Sequence, residues 1–241
     1  MRCQPIRSFI VNIWSNNNQP CLLCDQPAGQ ALPLCIECEY DLPWLGDGCA
    51  LCALPMPGSL CADCLLRPPP FTRVEAALSY GFPVDALITR FKHQARWPFG
   101  RLLGALLTRH LRHRYQEGLP RPTCLLPVPL APKRLRRRGF NQAQMLAGWL
   151  GKGLGIAVAA HLLRRKRDTA AQQRLGFEAR QHNLHGAFEV APRAVLQGRH
   201  VALVDDVMTS GATARALARL LIDAGAQRVD VYCLARTPKP T

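Results

Sequence analysis

The stretch Val201-Ala202-Leu203-Val204-Asp205-Asp206-Val207-Met208-Thr209-Ser210-Gly211-Ala212-Thr213 carries the strongest structural signal in the chain. Its four opening apolar residues indicate a short buried strand, and two adjacent carboxylates follow at the carboxyl end. From Ala212 onward, apolar residues recur with helical spacing, and Gly225 can close this helix in a left-handed conformation. The apolar residues are Leu217, Leu220, Leu221 and Ala224. Because Val229 to Leu234 predicts another strand, the unit requires a parallel sheet with a right-handed crossover.

The loop after the first strand has the composition of a phosphate site. Open α/β sheets bind ligands at the carboxyl ends of their strands, and a helix N-terminus there offers unpaired N–H groups to a phosphate. Gly211 allows close approach of the backbone. Hydroxyl donors come from Thr209, Ser210 and Thr213. Asp205 and Asp206 would repel a phosphate, so we expect them to face ribose hydroxyls or a magnesium ion shared with them.

This segment resembles the phosphoribosyl pyrophosphate (PRPP) motif of type I phosphoribosyltransferases, an apolar strand followed by Asp-Asp and a Thr/Gly-rich loop. The alternative is an ordinary strand-to-helix turn with helix caps. The resemblance implies that Asp205 and Asp206 are the catalytic carboxylates, holding the ribose as positive charge develops at C1. It also implies that the loop from Thr209 to Thr213, including Ala212, holds the 5-phosphate, and that Mg²⁺ accompanies PRPP.

The length and composition of the chain limit the number and the kind of domains that it can form. A chain of 241 residues can hold one sizeable domain and a smaller one, and 48% hydrophobic residues support a packed core. No apolar run reaches the roughly 18 residues needed to span a membrane. The apolar opening segment runs into Asn16-Asn17-Asn18 without a small-residue cleavage site. We therefore expect no secretory signal and a cytoplasmic protein.

The formal net charge of +15 is unevenly distributed. Residues 1–70 contain three Lys/Arg against six Asp/Glu, whereas the stretch from Arg90 to Arg138 contains thirteen basic residues and one acidic residue, Glu117. Such a field favours polyanionic partners: PRPP, pyrophosphate or nucleic acid. The alternative is a solvated basic surface without a ligand.

Eight of the eleven cysteines form four Cys-x-x-Cys pairs. They are Cys21, Cys24, Cys35, Cys38, Cys49, Cys52, Cys61 and Cys64. Two such turns complete a tetrahedron of thiolates around one ion, so the pattern predicts two structural Cys₄ zinc sites. Sequential pairing gives a tandem zinc ribbon, and cross-braced pairing is the alternative. A disulfide or redox scaffold is disfavoured in a chain without a secretory signal.

The predicted domains are an N-terminal segment, 1–20, a double zinc ribbon, 21–66, and a phosphoribosyltransferase-like α/β domain, 71–238. Arg67-Pro68-Pro69-Pro70 reads as a stiff linker between the last two. In the α/β domain, a predicted strand from Cys124 to Val128 leads into a basic loop that could bind pyrophosphate or DNA. Its basic residues are Lys133, Arg134, Arg136, Arg137 and Arg138. Asn141 is a good N-cap for the helix that follows.

Taken together, these motifs resemble the ComF family, including GntX-like proteins. The resemblance rests on the four cysteine pairs, Pro127-Val128-Pro129-Leu130, Arg137-Arg138-Gly139-Phe140-Asn141-Gln142-Ala143 and the Asp-Asp motif, in this order over roughly residues 20–238. It implies an N-terminal zinc ribbon, a type I phosphoribosyltransferase-like fold, and a link to competence and external DNA. The glycine that often follows the second cysteine of a knuckle is replaced by Asp25 and Ala53. Residues 164–188 look like the loop that closes over PRPP in related enzymes.

Three function classes follow. The first is a phosphoribosyltransferase-like protein that binds PRPP or a related sugar phosphate, with transfer to a base left as a hypothesis. The second is a non-catalytic protein whose basic surface binds single-stranded DNA with strong salt dependence. The third is an adaptor whose acidic zinc ribbon docks competence or DNA-processing proteins.

Overall fold

The computed structural model describes residues 19–166, 186–192 and 194–239. The chain divides into two compact units, Met1–Leu42 and Pro43–Thr241. The first Cys₄ group belongs to the first unit, and the second group belongs to the unit that contains the sheet. The domain limits expected from sequence stay a prediction. Most of the expected closing loop, residues 167–185, and most of the N-terminal segment lie outside the described residues.

The larger unit is built on a five-stranded parallel sheet with the strand order β1-β7-β6-β2-β3. Its strands are β1 (Arg73–Ser79), β2 (Cys124–Pro127), β3 (Ala157–Val158), β6 (His200–Met208) and β7 (Arg228–Arg236). A separate antiparallel pair is formed by β4 (Leu163–Arg165) and β5 (Phe188–Val190). The predicted parallel α/β sheet is confirmed.

Helices cover the sheet and connect its strands. The described helices are α1 (Ile36–Tyr40), α2 (Ala62–Leu66), α3 (Val84–Gln94), α4 (Trp97–Gln116), α5 (Pro132–Arg138), α6 (Gln142–Leu154) and α7 (Ala212–Asp223). Helix α7 is the crossover between β6 and β7, and Gly225 adopts the left-handed conformation expected after it, with φ of 96°. Among the described residues, no helix combines the length and apolar character needed to cross a bilayer.

Strand β6 occupies the centre of the sheet, hydrogen-bonded to β2 on one side and β7 on the other. Val204 is the partner of both Pro127 and Tyr232 in register. From Val201 to Val204 every residue is fully buried, because helices cover both faces of a parallel sheet. That double burial explains why this strand is a continuous apolar run rather than an alternating one.

Two segments differ from the sequence prediction. Strand β6 continues four residues beyond Val204, to Met208, because its ladder with β7 extends to the pair Met208 and Arg236. The two aspartates therefore lie within the strand rather than after it. The predicted basic loop is a short helix, α5, with Pro132 in its first turn and Gly139 in left-handed conformation at its end. Arg, Lys and Leu are good helix formers, and the prolines around them obscured this in the sequence.

Helices α3, α4 and α6 pack closely at two glycines of α4. A Cβ atom at Gly100 would lie 2.6 Å from the Phe91 ring and 2.9 Å from Trp149, and one at Gly104 would lie 3.1 Å from Trp149. The Phe91 and Trp149 rings are themselves in contact, with centroids 5.7 Å apart. This packing holds α3 against α4 and α6, and α3 carries Lys92, whose ammonium group contacts Asp206 of β6.

Candidate functional site

The sequence motifs meet at the carboxyl edge of the sheet. Strand β2 ends there and leads to the basic helix α5, while β6 ends in the loop Thr209–Gly211 before α7. The side chain of Asn141, which caps α6 through the Ala143 N–H, donates a hydrogen bond to the Val128 carbonyl at 3.0 Å. Because β2 and β6 are neighbours in the sheet, the basic segment and the Asp-Asp motif lie at adjacent strand ends.

The two carboxylates have different surroundings because neighbouring strand residues point to opposite faces of a sheet. Asp206 is 3% exposed, and its Oδ2 contacts the ammonium group of Lys92 on α3. Asp205 remains partly exposed, and its Oδ1 accepts a hydrogen bond from the Asp206 N–H at 2.9 Å. Asp205 is thus the carboxylate open to a ligand, and Asp206 is the one already paired.

The protonation states of Asp205 and Lys92 depend on their burial and on the charged groups around them. Burial raises the pKa of Asp205 to about 6, although the nearby cations Lys92 and Arg165 oppose the shift. Burial lowers the pKa of Lys92 to about 8, with Asp205 opposing and Arg138 and Arg134 adding to the decrease. Near neutral pH the site therefore holds an ionised Asp205 and a protonated Lys92.

The loop from Thr209 to Thr213, which is expected from the sequence to hold a phosphate, has the conformation that its glycine predicts. Gly211 adopts a φ of 74° at the N-cap of α7, where it has no side chain to satisfy the first N–H groups of the helix. Thr209 is exposed, and Ser210 and Thr213 are partly exposed. Ala212 is buried at 3% exposure. The loop therefore presents backbone N–H groups and hydroxyls beside the two carboxylates, an arrangement suited to an anion.

Helix α5 presents its basic residues on two faces. Arg134 and Arg138, one turn apart, are half-buried and act electrostatically on Lys92. Burial lowers the pKa of Arg138, and the positive charges of Arg134 and Arg137 add to the decrease. Lys133, Arg136 and Arg137 are exposed. The predicted basic set thus separates into a half-buried pair close enough to act on Lys92, the inner arginines Arg134 and Arg138, and a group that faces solvent.

The eight paired cysteines form two groups that could each hold a metal ion. Cys21, Cys24, Cys35 and Cys38 form one, and Cys49, Cys52, Cys61 and Cys64 form the other, with the sulfur atoms of each group within 4.8 Å of one another. The grouping is sequential, as in a tandem ribbon, rather than cross-braced. Four thiolates at this spacing fit tetrahedral zinc.

The two knuckles that lack glycine adopt the conformation that glycine favours. Asp25 has a φ of 62° and Ala53 a φ of 53°. Both positions therefore require the left-handed region, which costs a residue with a Cβ atom roughly 1 kcal/mol. The backbone of each knuckle is retained without the usual glycine.

Two residues of this region, Lys92 and Arg236, have no sequence motif that predicts their roles. Helical periodicity does not reveal the ion pair of Lys92 with a distant strand. Arg165, in the segment expected to close over PRPP, lies on β4, close enough to Asp205 to influence its pKa. Arg236 ends β7 and donates hydrogen bonds to the Met208 and Thr209 carbonyls. Its position at the carboxyl end of a central strand was the available signal.

Comparison with known proteins agrees with this architecture. The model of the phosphoribosyl transferase domain matches residues 137–241. The chain is 36% identical over 221 residues to the DNA utilization protein YhgH of Salmonella typhi, covering 90% of this chain and 96% of that protein. It is 31% identical over 227 residues to competence protein F of Haemophilus influenzae, covering 93% of each. The competence protein ComFC of Streptococcus pneumoniae is 26% identical over 232 residues, covering 90% and 99%.

The two cysteine groups predict two zinc ions per chain. Metal analysis of protein purified without added zinc should find two equivalents, because each group supplies four thiolates. Replacing Cys21 and Cys35 by Ser should leave one equivalent, and so should replacing Cys49 and Cys61. Retention of two equivalents in either variant would contradict the assignment of ligands.

The raised pKa of Asp205 predicts a stability cost at neutral pH. Since the folded protein binds this proton more tightly than the unfolded chain, stability falls as the pH rises from the ordinary pKa of 3.8 to about 6. Asp205→Asn removes a half-buried charge, so the variant should be more stable than the parent above pH 6, by about 1 to 2 kcal/mol. The difference should disappear near pH 4.

Urea unfolding at pH 4, 6 and 8 measures this difference. Asp223→Asn is the matched control, because Asp223 is exposed at the end of α7. A destabilised Asp205→Asn variant at pH 8 would show that the carboxylate stabilises the fold rather than straining it.

Proposed function

The chain belongs to the ComF family, and we propose that it is a cytoplasmic protein that binds PRPP or a related ribose phosphate in a pathway of competence and external DNA use. One observation carries this proposal. The uncapped N-terminus of α7, the Asp205–Asp206 pair and the inner arginines of α5 meet at one edge of the sheet. A phosphorylated ribose that carries a diphosphate offers one group to each of these elements: the 5-phosphate to α7, the ribose hydroxyls to the aspartates and the diphosphate to the arginines.

The 5-phosphate would bind at the loop from Thr209 to Thr213. Backbone N–H groups at the start of α7 point out of the helix, and the partial positive charge of its N-terminus favours an anion. Gly211 lets the backbone of this loop adopt its left-handed conformation without the steric cost that a side chain would bring there. The hydroxyls of Thr209 and Thr213 add donors at the rim.

The ribose would lie against Asp205. Its carboxylate is partly exposed and, as an acceptor-only group, suits the vicinal hydroxyls of a ribose. Asp206 would act on the ligand electrostatically from its buried position, since Lys92 already neutralises it. Lys92 thereby keeps a second buried carboxylate from repelling the phosphates of the ligand.

The diphosphate would lie toward α5, where Arg134 and Arg138 share the inner face. The arginine fork matches phosphate oxygens in a bidentate arrangement. Mg²⁺ fits this donor set, because Asp205 is an oxygen ligand open to solvent and phosphate oxygens complete the coordination. When bound, the ion would supply further neutralisation of the diphosphate charge.

In a transfer reaction at this site, the bond between ribose C1 and the pyrophosphate oxygen would break as the acceptor bonds to C1. Ionised Asp205 would stabilise the positive charge that develops on the ribose. The inner arginines of α5 would stabilise the departing pyrophosphate.

Calorimetric titration with PRPP and Mg²⁺ tests the proposal. The double variant Asp205→Asn, Asp206→Asn should bind PRPP at least about tenfold more weakly, since amides replace acceptors by mixed donors and remove the pairing with Lys92. Asp223→Asn should bind as the parent does. Equal affinity of the double variant and the parent would remove the Asp-Asp motif from the site.

A second candidate function is binding of single-stranded DNA, which the outer face of α5 favours. Lys133, Arg136 and Arg137 are exposed there. Nearby, Trp97 is 42% exposed and packs against Phe140 with ring centroids 5.0 Å apart. Exposed cations beside an aromatic ring are the elements with which proteins bind a phosphate backbone and stacked bases.

The two faces of α5 allow the functions to be separated with matched variants. Arg136→Ala with Arg137→Ala should weaken single-stranded DNA binding for all sequences and reduce the salt slope by about 1.4, because two phosphate contacts are lost. Arg134→Ala with Arg138→Ala should instead weaken PRPP binding. Filter binding at several salt concentrations and calorimetry measure the two properties. If the outer pair changes neither DNA affinity nor its salt slope, α5 is not a DNA site.

A further inference from the structure

The phosphate loop is attached to the second Cys₄ group by a buried arginine. Arg236, at the end of β7, is 6% exposed. Its Nη1 donates to the carbonyls of Met208 at 3.1 Å and of Thr209, at the start of the loop. Its Nε donates at 2.9 Å to the carbonyl of Cys52, a member of the cysteine group. Because the guanidinium is a rigid plane of donors, it fixes the distance between these two segments.

A second arginine makes the equivalent connection on the other side of the loop. Arg215 lies in the first turn of α7, and its backbone N–H bonds to the Gly211 carbonyl. Its Nη2 lies 3.1 Å from Asp63 Oδ2, and its Nη1 donates to the Arg67 carbonyl at 2.9 Å. Asp63 belongs to α2, which the Cys61 sulfur caps and which contains Cys64.

Apolar packing joins the same two segments. Cys49, Cys52, Cys61 and Cys64 share one buried cluster with Met208, Ala212 and Ala214. Met208 precedes Gly211 in the sequence, and Ala212 and Ala214 follow it. A Cβ atom at Gly211 would lie 2.6 Å from the Met208 side chain. Residues on both sides of the left-handed glycine therefore belong to the same buried cluster as the four cysteines.

We propose that the second Cys₄ group sets the conformation of the phosphate loop, with Arg236 and Arg215 as the positioning residues. When the group is closed, Cys52 and Asp63 occupy fixed places, and the arginines hold the Thr209–Gly211 backbone with its N–H groups directed outward. When the group is open, both anchors move and the loop loses its preorganisation. The effect on ligand affinity rests on the proposed function, whereas the effect on the loop does not.

Hydrogen exchange of the backbone amides of residues 209–215, measured without ligand, tests the positioning directly. Arg236→Lys keeps the charge but cannot bridge the three carbonyls, and we expect at least about tenfold faster exchange. Arg215→Ala should give a smaller increase of about threefold. Arg219→Ala is the matched control, since Arg219 is exposed one turn further along α7, and its exchange should match the parent.

The cysteine groups themselves supply the second comparison. Replacing Cys49 and Cys61 by Ser should increase loop exchange at least about tenfold, while replacing Cys21 and Cys35 by Ser should leave it within twofold. Thermal unfolding of each variant shows whether the change is local. Unchanged exchange in Arg236→Lys and in the Cys49, Cys61 variant overturns the proposal. If the latter fails to fold, Arg236→Lys and Arg215→Ala decide the question.

A reciprocal measurement distinguishes positioning from general structural support. Coupling between two sites acts in both directions in their binding equilibria, so PRPP with Mg²⁺ should raise the affinity of one of the two zinc equivalents about tenfold, measured by equilibrium competition with a chromogenic chelator. In the Cys21, Cys35 variant the affinity of the remaining equivalent should still rise. Equal zinc affinity with and without PRPP, in protein shown by calorimetry to bind it, overturns the coupling. Absence of PRPP binding to the parent would contradict the proposed function and leave the exchange result valid.

Discussion

Strand β6 brings two adjacent carboxylates to the carboxyl end of the central strand, where Asp206 is buried, and the surrounding structure satisfies this electrostatic constraint. A buried charge is tolerated only when it is paired, and Lys92 of α3 provides the pairing for Asp206. Two glycines of α4 permit α3 and α6 to pack closely enough for that contact. The basic helix α5 then adds positive charge on the same side. The candidate site therefore concentrates the negative charges of the two aspartates and the positive charges of Lys92 and α5 at one end of the sheet.

This arrangement separates the roles of two residues that look equivalent in the sequence. Asp206 is buried and paired, so it contributes to the field of the site from below. Asp205 is partly exposed and has a raised pKa, so it is the carboxylate that a ligand can reach. The predicted cost of an ionised Asp205 at neutral pH is the kind of cost that proteins accept at residues retained for binding rather than for stability.

The sequence predicted those features that depend on local patterns. Continuous apolar residues, helical spacing and Gly225 located β6, α7 and β7, and the Cys-x-x-Cys spacing located both metal groups. Features that depend on distant contacts were not predicted. Lys92 meets a strand more than a hundred residues away, and Arg236 meets Cys52 across 184 positions; no periodicity records such pairs. The helix α5 was expected to be a loop, because Pro129 and Pro132 are as typical of loops as of the first turn of a helix.

The strand order also constrains how the chain can assemble during synthesis. Strand β1 pairs with β7, which follows the other strands of this sheet in the sequence, so β1 has no partner in the sheet until β7 has been made. Each cysteine group, in contrast, lies within a short segment that precedes β1 and can close while translation continues. The bond from Arg236 to Cys52 then joins a segment that can close before the sheet forms to the strand that completes the sheet, a long-range contact of the kind that slows folding.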